Sequence, residues 1–392
     1  MPDADAMKSV VQRTIDAASA ELRSLSLDIH AHPELNFQEE HAHRAITDYL
    51  EAQGFAVERG AYRILTAFEA RAGSGAPAVA VLCEYDALPG IGHGCGHNLI
   101  AIAGVAAGLA LKAALNDGDG AVVVLGTPAE EGGGGKIEMI DRGAFERIDA
   151  AMMLHPAPED SAWPRINALQ ALEVEYFGKN AHAAVRPWDG VNALDALVLA
   201  YNGISLLRQQ MPLDSRVHGV IVKGGDKPNI IPDHAAAEFY VRAKDEASLQ
   251  RLQQRVLACF QGAAEATGCR LEARWVGRVY SNMANNVPMA EAYVENARAL
   301  GKTLPPRADG FSGGSTDMGN VSHVVPSIHP MFAIATKAGN HTPEFAAASA
   351  TPEAHAQALL AAKALAMTAV DLFTDPSLIE GAKDQFRAAH PA

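Results

Sequence analysis

Three short stretches of continuously apolar residues constrain the fold of this chain most strongly. They cover residues 78–83, 121–126 and 150–154, and helical segments separate them. A strand that is apolar at every position is buried on both faces, which is typical of parallel sheets covered by helices. The alternation of strands and helices therefore predicts an α/β domain with a mostly parallel sheet.

Polar side chains follow each of these strands. In parallel sheets, ligands bind beyond the carboxyl ends of the strands, so we expect these side chains to lie near one another. Glycines at positions 94 and 96 let the backbone bend tightly between the first strand and the helix after it. The residues expected at this edge of the sheet are Asp86, Cys95, His97, Glu130, Glu131 and His155.

These residue types favour a metal site. Thiolate, imidazole and carboxylate groups are the usual protein ligands of zinc-like ions. Two ions need about five such ligands, and an adjacent carboxylate can accept a proton from a water molecule that they activate. The alternatives are structural histidines and a solvated pair of glutamates. The candidate ligands are Cys95, His97, Glu131, His155 and His341, with Glu130 as the candidate base.

The pattern changes near residue 168. Residues 172–177 and 217–222 alternate apolar and polar side chains, as half-exposed antiparallel strands do. Two long helical segments, 191–211 and 247–266, accompany them. We predict an inserted α+β domain at 168–284, between two parts of the catalytic domain at 1–167 and 285–392. One face of the first helix is expected to cover the sheet with Leu194, Leu197, Val198, Tyr201 and Ile204.

Composition excludes several classes of partner. The 392 residues carry a net charge of −14, whereas nucleic acids and anionic membranes attract basic proteins. We expect no apolar run to approach a membrane span, and residues 1–5 lack the apolar core of a secretory signal. Four cysteines are too few for a disulfide framework in a chain of this length. We therefore expect a cytoplasmic protein that binds neither nucleic acid nor a membrane surface.

The motifs resemble one enzyme family along nearly the whole chain. Residues 84–89 and 92–98 read EYDALP and GHGCGHN, and the likeness is to the aminoacylase and glutamate-carboxypeptidase family of two-metal peptidases. More narrowly, the chain resembles the branch that holds auxin-conjugate hydrolases, p-aminobenzoyl-glutamate hydrolase and aminoacylase-like dipeptidases. Further matching motifs are HPEL at 32–35, PAEEG at 128–132, LHP at 154–156, GKNAHAA at 178–184, NIIP at 229–232 and GNHT at 339–342.

This resemblance implies roles for individual residues. It makes Glu130 the general base and Asp86 a carboxylate that orients a metal-bound imidazole, and it assigns two divalent ions, zinc or manganese with cobalt possible. It also implies a homodimer formed through the inserted domain, in which His182 stabilises the oxyanion from the partner subunit. Asn229 and Arg242 match positions that hold the polar end of the substrate. The implied metal ligands are Cys95, His97, Glu131, His155 and His341.

Several alternatives stay open at this point. Asn98 stands where auxin-conjugate hydrolases usually have Asp. Arg186 is either a residue of the substrate pocket or a surface residue on the turn before Gly190. The leading reaction is hydrolysis of an N-acyl amino acid or a dipeptide, and the runner-up is hydrolysis of another C–N bond, such as an aryl amine or aminobenzoyl-glutamate. A non-catalytic metal-binding homologue and a hydrolase with Cys95 as nucleophile are the remaining hypotheses.

Overall fold

The computed structural model describes residues 3–116, 118–307 and 314–390, which form two compact units. The first unit contains the described residues up to Pro164, those from Met283 to Arg307, and those from Thr316 onward. The second unit contains Arg165–Asn282 together with Gly314 and Ser315.

A six-stranded mixed sheet forms the centre of the first unit. Its strands are β1 (Ala56–Arg59), β2 (Phe68–Ser74), β3 (Ala78–Cys83), β4 (Gly120–Gly126), β5 (Ala150–Met152) and β11 (Ser327–Ile328). They lie in the order β1-β2-β4-β3-β5-β11. Strands β4, β3, β5 and β11 are parallel to their neighbours in that run, whereas β2 pairs antiparallel with both β1 and β4. The predicted parallel arrangement thus applies to one part of the sheet only.

The continuously apolar stretches form the buried strands. Every residue of β3 and β4 is buried, as expected for central strands that are covered on both faces, and α3 packs against both strands. The third stretch is interrupted after Met152, and a short strand β6 (His155–Ala157) then pairs in parallel with β12 (Met331–Ala333). The apolar residues within 64–70 also predict a strand, but β2 begins four residues later, at Phe68, because Leu65 lies in a turn and is 87% exposed.

The helices of the first unit surround this sheet. They are α1 (Ala4–Ala31), α2 (Glu40–Ala52), α3 (His97–Ala114), α4 (Gly135–Asp141), α7 (Val287–Ala299), α8 (Met318–Ser322), α9 (Pro343–Ala348), α10 (Pro352–Thr374) and α11 (Pro376–Ala389). Helices α1, α3 and α10 pack against one another. The apolar stripe of α1 is buried, as its spacing of three and four residues predicts. Nearly every residue of α3 is buried, so this helix runs through the core.

Two of these helices are long and apolar enough to cross a membrane, which corrects the expectation that no segment approaches that length. They are α3 and α10, each with a mean hydropathy of 1.4 over its most apolar window. Within the folded unit, 83% of the window in α3 and 67% of that in α10 is buried. Core helices commonly have this composition, so length and hydropathy alone do not indicate a membrane span.

The second unit is a four-stranded antiparallel sheet with two helices packed on it. Its elements are β7 (Ala168–Phe177), α5 (Ala193–Leu207), β8 (Arg216–Lys223), β9 (His234–Ala243), α6 (Glu246–Thr267) and β10 (Arg270–Tyr280). The strand order is β10-β7-β9-β8. Leu197 and Ile204 of α5 are buried against the sheet as predicted, but Val198 is 44% exposed. At one edge of this sheet, β8 exposes consecutive apolar side chains.

Candidate metal centre

The loop after β3 turns Cys95 and His97 toward the same side. Between them, Gly96 has a φ of 76°, a left-handed conformation that residues with a Cβ rarely adopt. A Cβ at this position would also lie 2.7 Å from Cγ of Pro156. Only glycine therefore fits here, and it connects the loop directly to the start of α3.

His97 presents one ring nitrogen to the interior of the site. Its Nδ1 donates a hydrogen bond to the carboxylate of Asp86 over 2.9 Å, because a carboxylate only accepts. The Nε2 atom is buried and has no hydrogen-bond partner among the described residues. It lies 3.8 Å from Oε1 of Glu131 and 4.0 Å from Oε2 of Glu130. An imidazole fixed at one nitrogen and open at the other is the usual state of a metal ligand.

His155 is also held at one ring nitrogen by a hydrogen bond. Its Nδ1 donates to the carbonyl oxygen of Pro156 over 2.7 Å, and its Nε2 lies 3.5 Å from Sγ of Cys95. The side-chain amide of Asn340 donates to the same carbonyl over 3.2 Å. Asn340 therefore ties the loop before α9 to the residue that orients the His155 ring.

His341 approaches from that loop. It has a φ of 67°, and its backbone N–H donates to the carbonyl of Gly94 over 2.8 Å. Its Nε2 lies 3.4 Å from Oε2 of Glu131. The left-handed backbone at His341 thus brings its ring to the carboxylate that also faces His97.

The donor atoms form overlapping groups whose members lie within 4.8 Å of one another. The buried Oε1 of Glu131 has no hydrogen-bond partner among the residues that the structure describes. Leaving such an atom unpaired is costly unless a cation satisfies it, so this donor set fits divalent metal ions. The groups are Cys95 with His97 and His155, Cys95 with Glu131 and His341, and His97 with Glu130 and Glu131.

Glu130 lies in a strongly electronegative environment. Burial raises its pKa well above the ordinary value, and the charges of Glu84 and Glu131 raise the pKa further. A higher pKa makes the carboxylate a stronger proton acceptor. The charge of His97 opposes this shift, and cations bound at the candidate ligands would also lower the pKa of Glu130.

A buried lysine balances part of this negative charge. Nζ of Lys136 lies 2.5 Å from Oε1 of Glu84 and 2.7 Å from Oδ1 of Asp317, and all three side chains are fully buried. Glu84, Glu130 and Asp317 offer oxygens within 4.8 Å of one another. The Lys136 ammonium thus supplies positive charge beside these three buried carboxylates, which would otherwise need a cation to balance them.

Sequence reasoning gave no role to Glu84, Lys136, Asp317 or His329. The His329 ring is fully buried and contacts the His155 ring edge to face, with 5.6 Å between centroids. A lysine directly after four glycines, at the start of a short helix, was a usable signal for Lys136. The other three residues stand in apolar or glycine-rich surroundings that do not distinguish them.

The second unit contains the remaining candidates. His182 is exposed, and its segment pairs with the segment of Asn229, since the Ala183 N–H donates to the Asn229 carbonyl over 3.0 Å. Arg186 is exposed and forms an ion pair with Asp189 over 2.8 Å. This contact favours the alternative in which Arg186 is a surface residue on the turn before Gly190. Arg242 lies on β9 and donates to Oγ of Ser315 over 2.9 Å.

Known proteins resemble this chain over most of its length. The sequence profile of Peptidase family M20/M25/M40 matches residues 80–364. A Homo sapiens protein named Xaa-Arg dipeptidase is 46% identical, over 95% of this chain and 90% of its own length. One of the subunits of the p-aminobenzoyl-glutamate hydrolase of Escherichia coli is 31% identical, over 96% of this chain and 92% of its own.

Solved structures share the fold. A dinuclear metal binding peptidase from Bacillus subtilis superposes with a TM-score of 0.73 at 21% identity, covering 92% of this chain and 99% of that one. An aminobenzoyl-glutamate utilization protein from Klebsiella pneumoniae gives 0.69 at 20% identity, covering 92% and 98%. Together with the profile match and the relatives above 30% identity, these findings confirm the resemblance of the motifs: the chain belongs to Peptidase family M20/M25/M40.

Proposed function

We propose that this protein is a divalent-metal-dependent dipeptidase that hydrolyses the amide bond of Xaa-Arg dipeptides. The observation that carries the proposal is the Glu130 carboxylate, which lies 4.0 Å from Nε2 of His97 within a converging set of sulfur, nitrogen and oxygen donors. The 46% identity to an Xaa-Arg dipeptidase supports the choice of substrate. A net charge of −14 also favours the approach of cationic substrates.

The ligands are proposed to hold two ions, zinc or manganese, with cobalt a further option. Thiolate favours zinc, whereas carboxylates and imidazoles also suit manganese. When bound, the ions supply Lewis acidity that lowers the pKa of a water molecule and polarises the scissile carbonyl. Their proposed ligands are Cys95, His97, Glu131, His155 and His341.

Glu130 is proposed to move the proton. It takes a proton from the attacking water and gives it to the leaving amine, so that the carboxylate is regenerated at the end of the cycle. Asp86 keeps the His97 ring in the tautomer whose Nε2 faces the site. Burial raises the pKa of the Cys95 thiol, which disfavours the alternative in which Cys95 is the nucleophile.

We propose that the second unit binds the substrate and forms a homodimer. Strand β8 lies at an edge of its sheet and exposes Val220, Ile221 and Val222. An exposed apolar edge favours pairing with a second copy about a two-fold axis. His182 is proposed to stabilise the oxyanion in the partner's site, with Asn229 and Arg242 on the substrate carboxylate.

Arg186 is the weakest of the proposed substrate residues, since Asp189 already pairs with it. All four cysteines are unpaired, which is consistent with the proposed cytoplasmic location.

A second substrate class is supported by the 31% identity to a component of p-aminobenzoyl-glutamate hydrolase. The same donors and the same base would cleave an acyl or aminobenzoyl amide, because the carbonyl chemistry is identical. The two substrates differ in the charge of the side chain on the leaving amino acid, which is positive in arginine and negative in glutamate.

A substrate panel tests the proposal. Metal-free enzyme is reloaded with zinc, manganese or cobalt and assayed on Ala-Arg, Ala-Lys, Ala-Leu, Ala-Glu, N-acetyl-arginine and aminobenzoyl-glutamate, with Glu130→Gln as the control. The proposal predicts metal-dependent cleavage with the highest kcat/KM on Ala-Arg. Exclusive cleavage of aminobenzoyl-glutamate would favour the second class, and cleavage that survives metal removal would contradict both.

A further inference from the structure

Glu39, which directly precedes α2, contacts two separate backbone segments through one oxygen. Its Oε1 accepts hydrogen bonds from the N–H of Phe37 over 3.0 Å and from the N–H of Ala129 over 2.9 Å. The side chain is fully buried. A single acceptor oxygen therefore links the segment before α2 to the turn at Ala129.

Both of these N–H donors belong to residues with an unfavourable backbone. Phe37 has a φ of 60° and Ala129 a φ of 59°, and neither residue is a glycine. Left-handed conformations of such residues persist where the surroundings hold them in place. Glu39 thus lies where it can hold two strained peptides at once.

The strained Ala129 directly precedes Glu130. On the other side of Glu130, the N–H of Glu131 donates to Oδ2 of Asp86 over 2.9 Å. Ala129 and Glu131, the residues before and after Glu130, therefore each donate their N–H to a buried carboxylate. The Ala129 carbonyl in turn accepts from the N–H of Gly133 over 3.0 Å, which closes the turn.

The loop 34–39 also packs on this turn. A Cβ added at Gly133 would lie 2.6 Å from both the Phe37 ring and the Ala129 side chain. At the other end of the loop, the Glu34 carbonyl accepts from the N–H of Ala87, next to Asp86, over 2.8 Å. The segment 34–39 therefore contacts both loops that carry the candidate catalytic carboxylates.

We propose that Glu39 is a positioning residue that fixes the backbone of Ala129 and thereby aims the Glu130 and Glu131 carboxylates. The oxygen acceptor is the feature that matters, and the negative charge is dispensable. Errors of about 1 Å in the placement of a catalytic group reduce turnover by up to about a hundredfold. The proposal rests on the assigned role of Glu130, but the hydrogen bond to Ala129 can be tested without activity.

Two variants separate the acceptor from the charge. Glu39→Gln keeps an oxygen at the same place, whereas Glu39→Met keeps the length and removes the acceptor. At saturating metal, kcat is expected to stay within about threefold of wild type for Glu39→Gln and to fall at least about tenfold for Glu39→Met. Glu40→Met, a change at the exposed neighbouring glutamate, is the matched control and should leave kcat unchanged.

Ala129→Gly tests the strain directly. Glycine adopts a φ near 60° without strain, so adding this change to Glu39→Met should restore part of the lost kcat. The double variant is also the one to compare if Glu39→Met alone is too unstable to purify. A merely structural role for Glu39 would lower the melting temperature without this recovery.

Amide hydrogen exchange supplies a readout that does not depend on the substrate. The Ala129 N–H should exchange slowly in the wild type and in Glu39→Gln, and faster in Glu39→Met. Equal exchange in all three proteins would overturn the proposal, as would a tenfold loss of kcat in Glu39→Gln. If the wild type cleaves no substrate, the proposed function fails and the exchange result still decides the role of Glu39.

Discussion

Asp86 holds His97 through a 2.9 Å hydrogen bond from the imidazole Nδ1 to the carboxylate Oδ1. The second oxygen of Asp86 accepts the Glu131 N–H over 2.9 Å. Burial alone raises the pKa of Asp86, but the charge and hydrogen bond of His97 outweigh this effect and lower it. One ionised carboxylate therefore orients two of the proposed ligands.

Replacing Asp86 tests this dual contact. Asn has a single acceptor oxygen, so Asp86→Asn can keep only one of the two hydrogen bonds. We expect metal affinity to fall about 10- to 100-fold while the protein stays folded. Competition with a chromophoric chelator measures the affinity, and an affinity equal to that of the wild type would show that neither bond matters.

The buried Lys136 should be essential for stability. Removing its ammonium in Lys136→Met leaves Glu84 and Asp317 as uncompensated buried charges, which lowers the free energy of unfolding by about 3–5 kcal/mol. Urea denaturation measures this loss. The control is Arg298→Met, which breaks an exposed ion pair with Glu295 and should cost at most about 1 kcal/mol. Similar losses in the two variants would contradict the network.

The dependence of stability on pH should carry a contribution from Glu39. Burial, and next the charge of Asp86, raise its pKa from 4.5 to about 7. The folded protein then binds this proton more tightly than the unfolded chain does, so the stabilisation is complete below pH 4.5 and is lost as pH rises through about 7. Each tenfold change in proton affinity is about 1.4 kcal/mol, so the loss is about 3 kcal/mol.

Glu39→Gln isolates this contribution, since glutamine does not titrate. Relative to the variant, the wild type should become less stable between pH 4.5 and 7, as followed by denaturant unfolding at several pH values. Parallel pH profiles of the two proteins would mean that Glu39 keeps an ordinary pKa in the fold.

Mixed dimers test the proposed delivery of His182 to the partner's site. Glu130→Gln and His182→Ala are each expected to be inactive, but in a mixed dimer one site carries both defects and the other carries neither. With random exchange of equal amounts, roughly a quarter of wild-type activity should return. Differently tagged chains show independently that subunits exchange, and exchange without recovery would contradict the delivery of His182 across a dimer.

The sequence predicted the parts of the fold that depend on local pattern. Continuous apolar runs located β3 and β4, and the spacing of Val11, Ile15 and Leu22 located the buried face of α1. The strand after residue 63 was misplaced, because the apolar pair Ile64 and Leu65 belongs to a turn and not to β2. Apolar character alone does not distinguish these two cases.

The residues that support the proposed catalytic carboxylates could not be predicted from the sequence, and the reason is physical. Glu39 contacts Ala129, 90 positions away, and Lys136 contacts Asp317, 181 positions away. Local composition can mark one residue of such a pair, as the glycines before Lys136 do, but it does not identify the partner, because only the folded chain brings the two together. The proposed metal ligands could be predicted from the sequence, because they stand in local patterns, namely strand ends and glycine-rich turns.

Metal content in two variants tests most directly whether the proposed ligands and Glu130 have separate roles in one metal-dependent reaction. Metal per chain is measured by elemental analysis after dialysis, for Cys95→Ser and Glu130→Gln beside the wild type. We predict that Cys95→Ser loses metal, whereas Glu130→Gln keeps the wild-type content although its turnover falls at least about a hundredfold. Full metal content in Cys95→Ser, or loss of metal in Glu130→Gln, would contradict these roles.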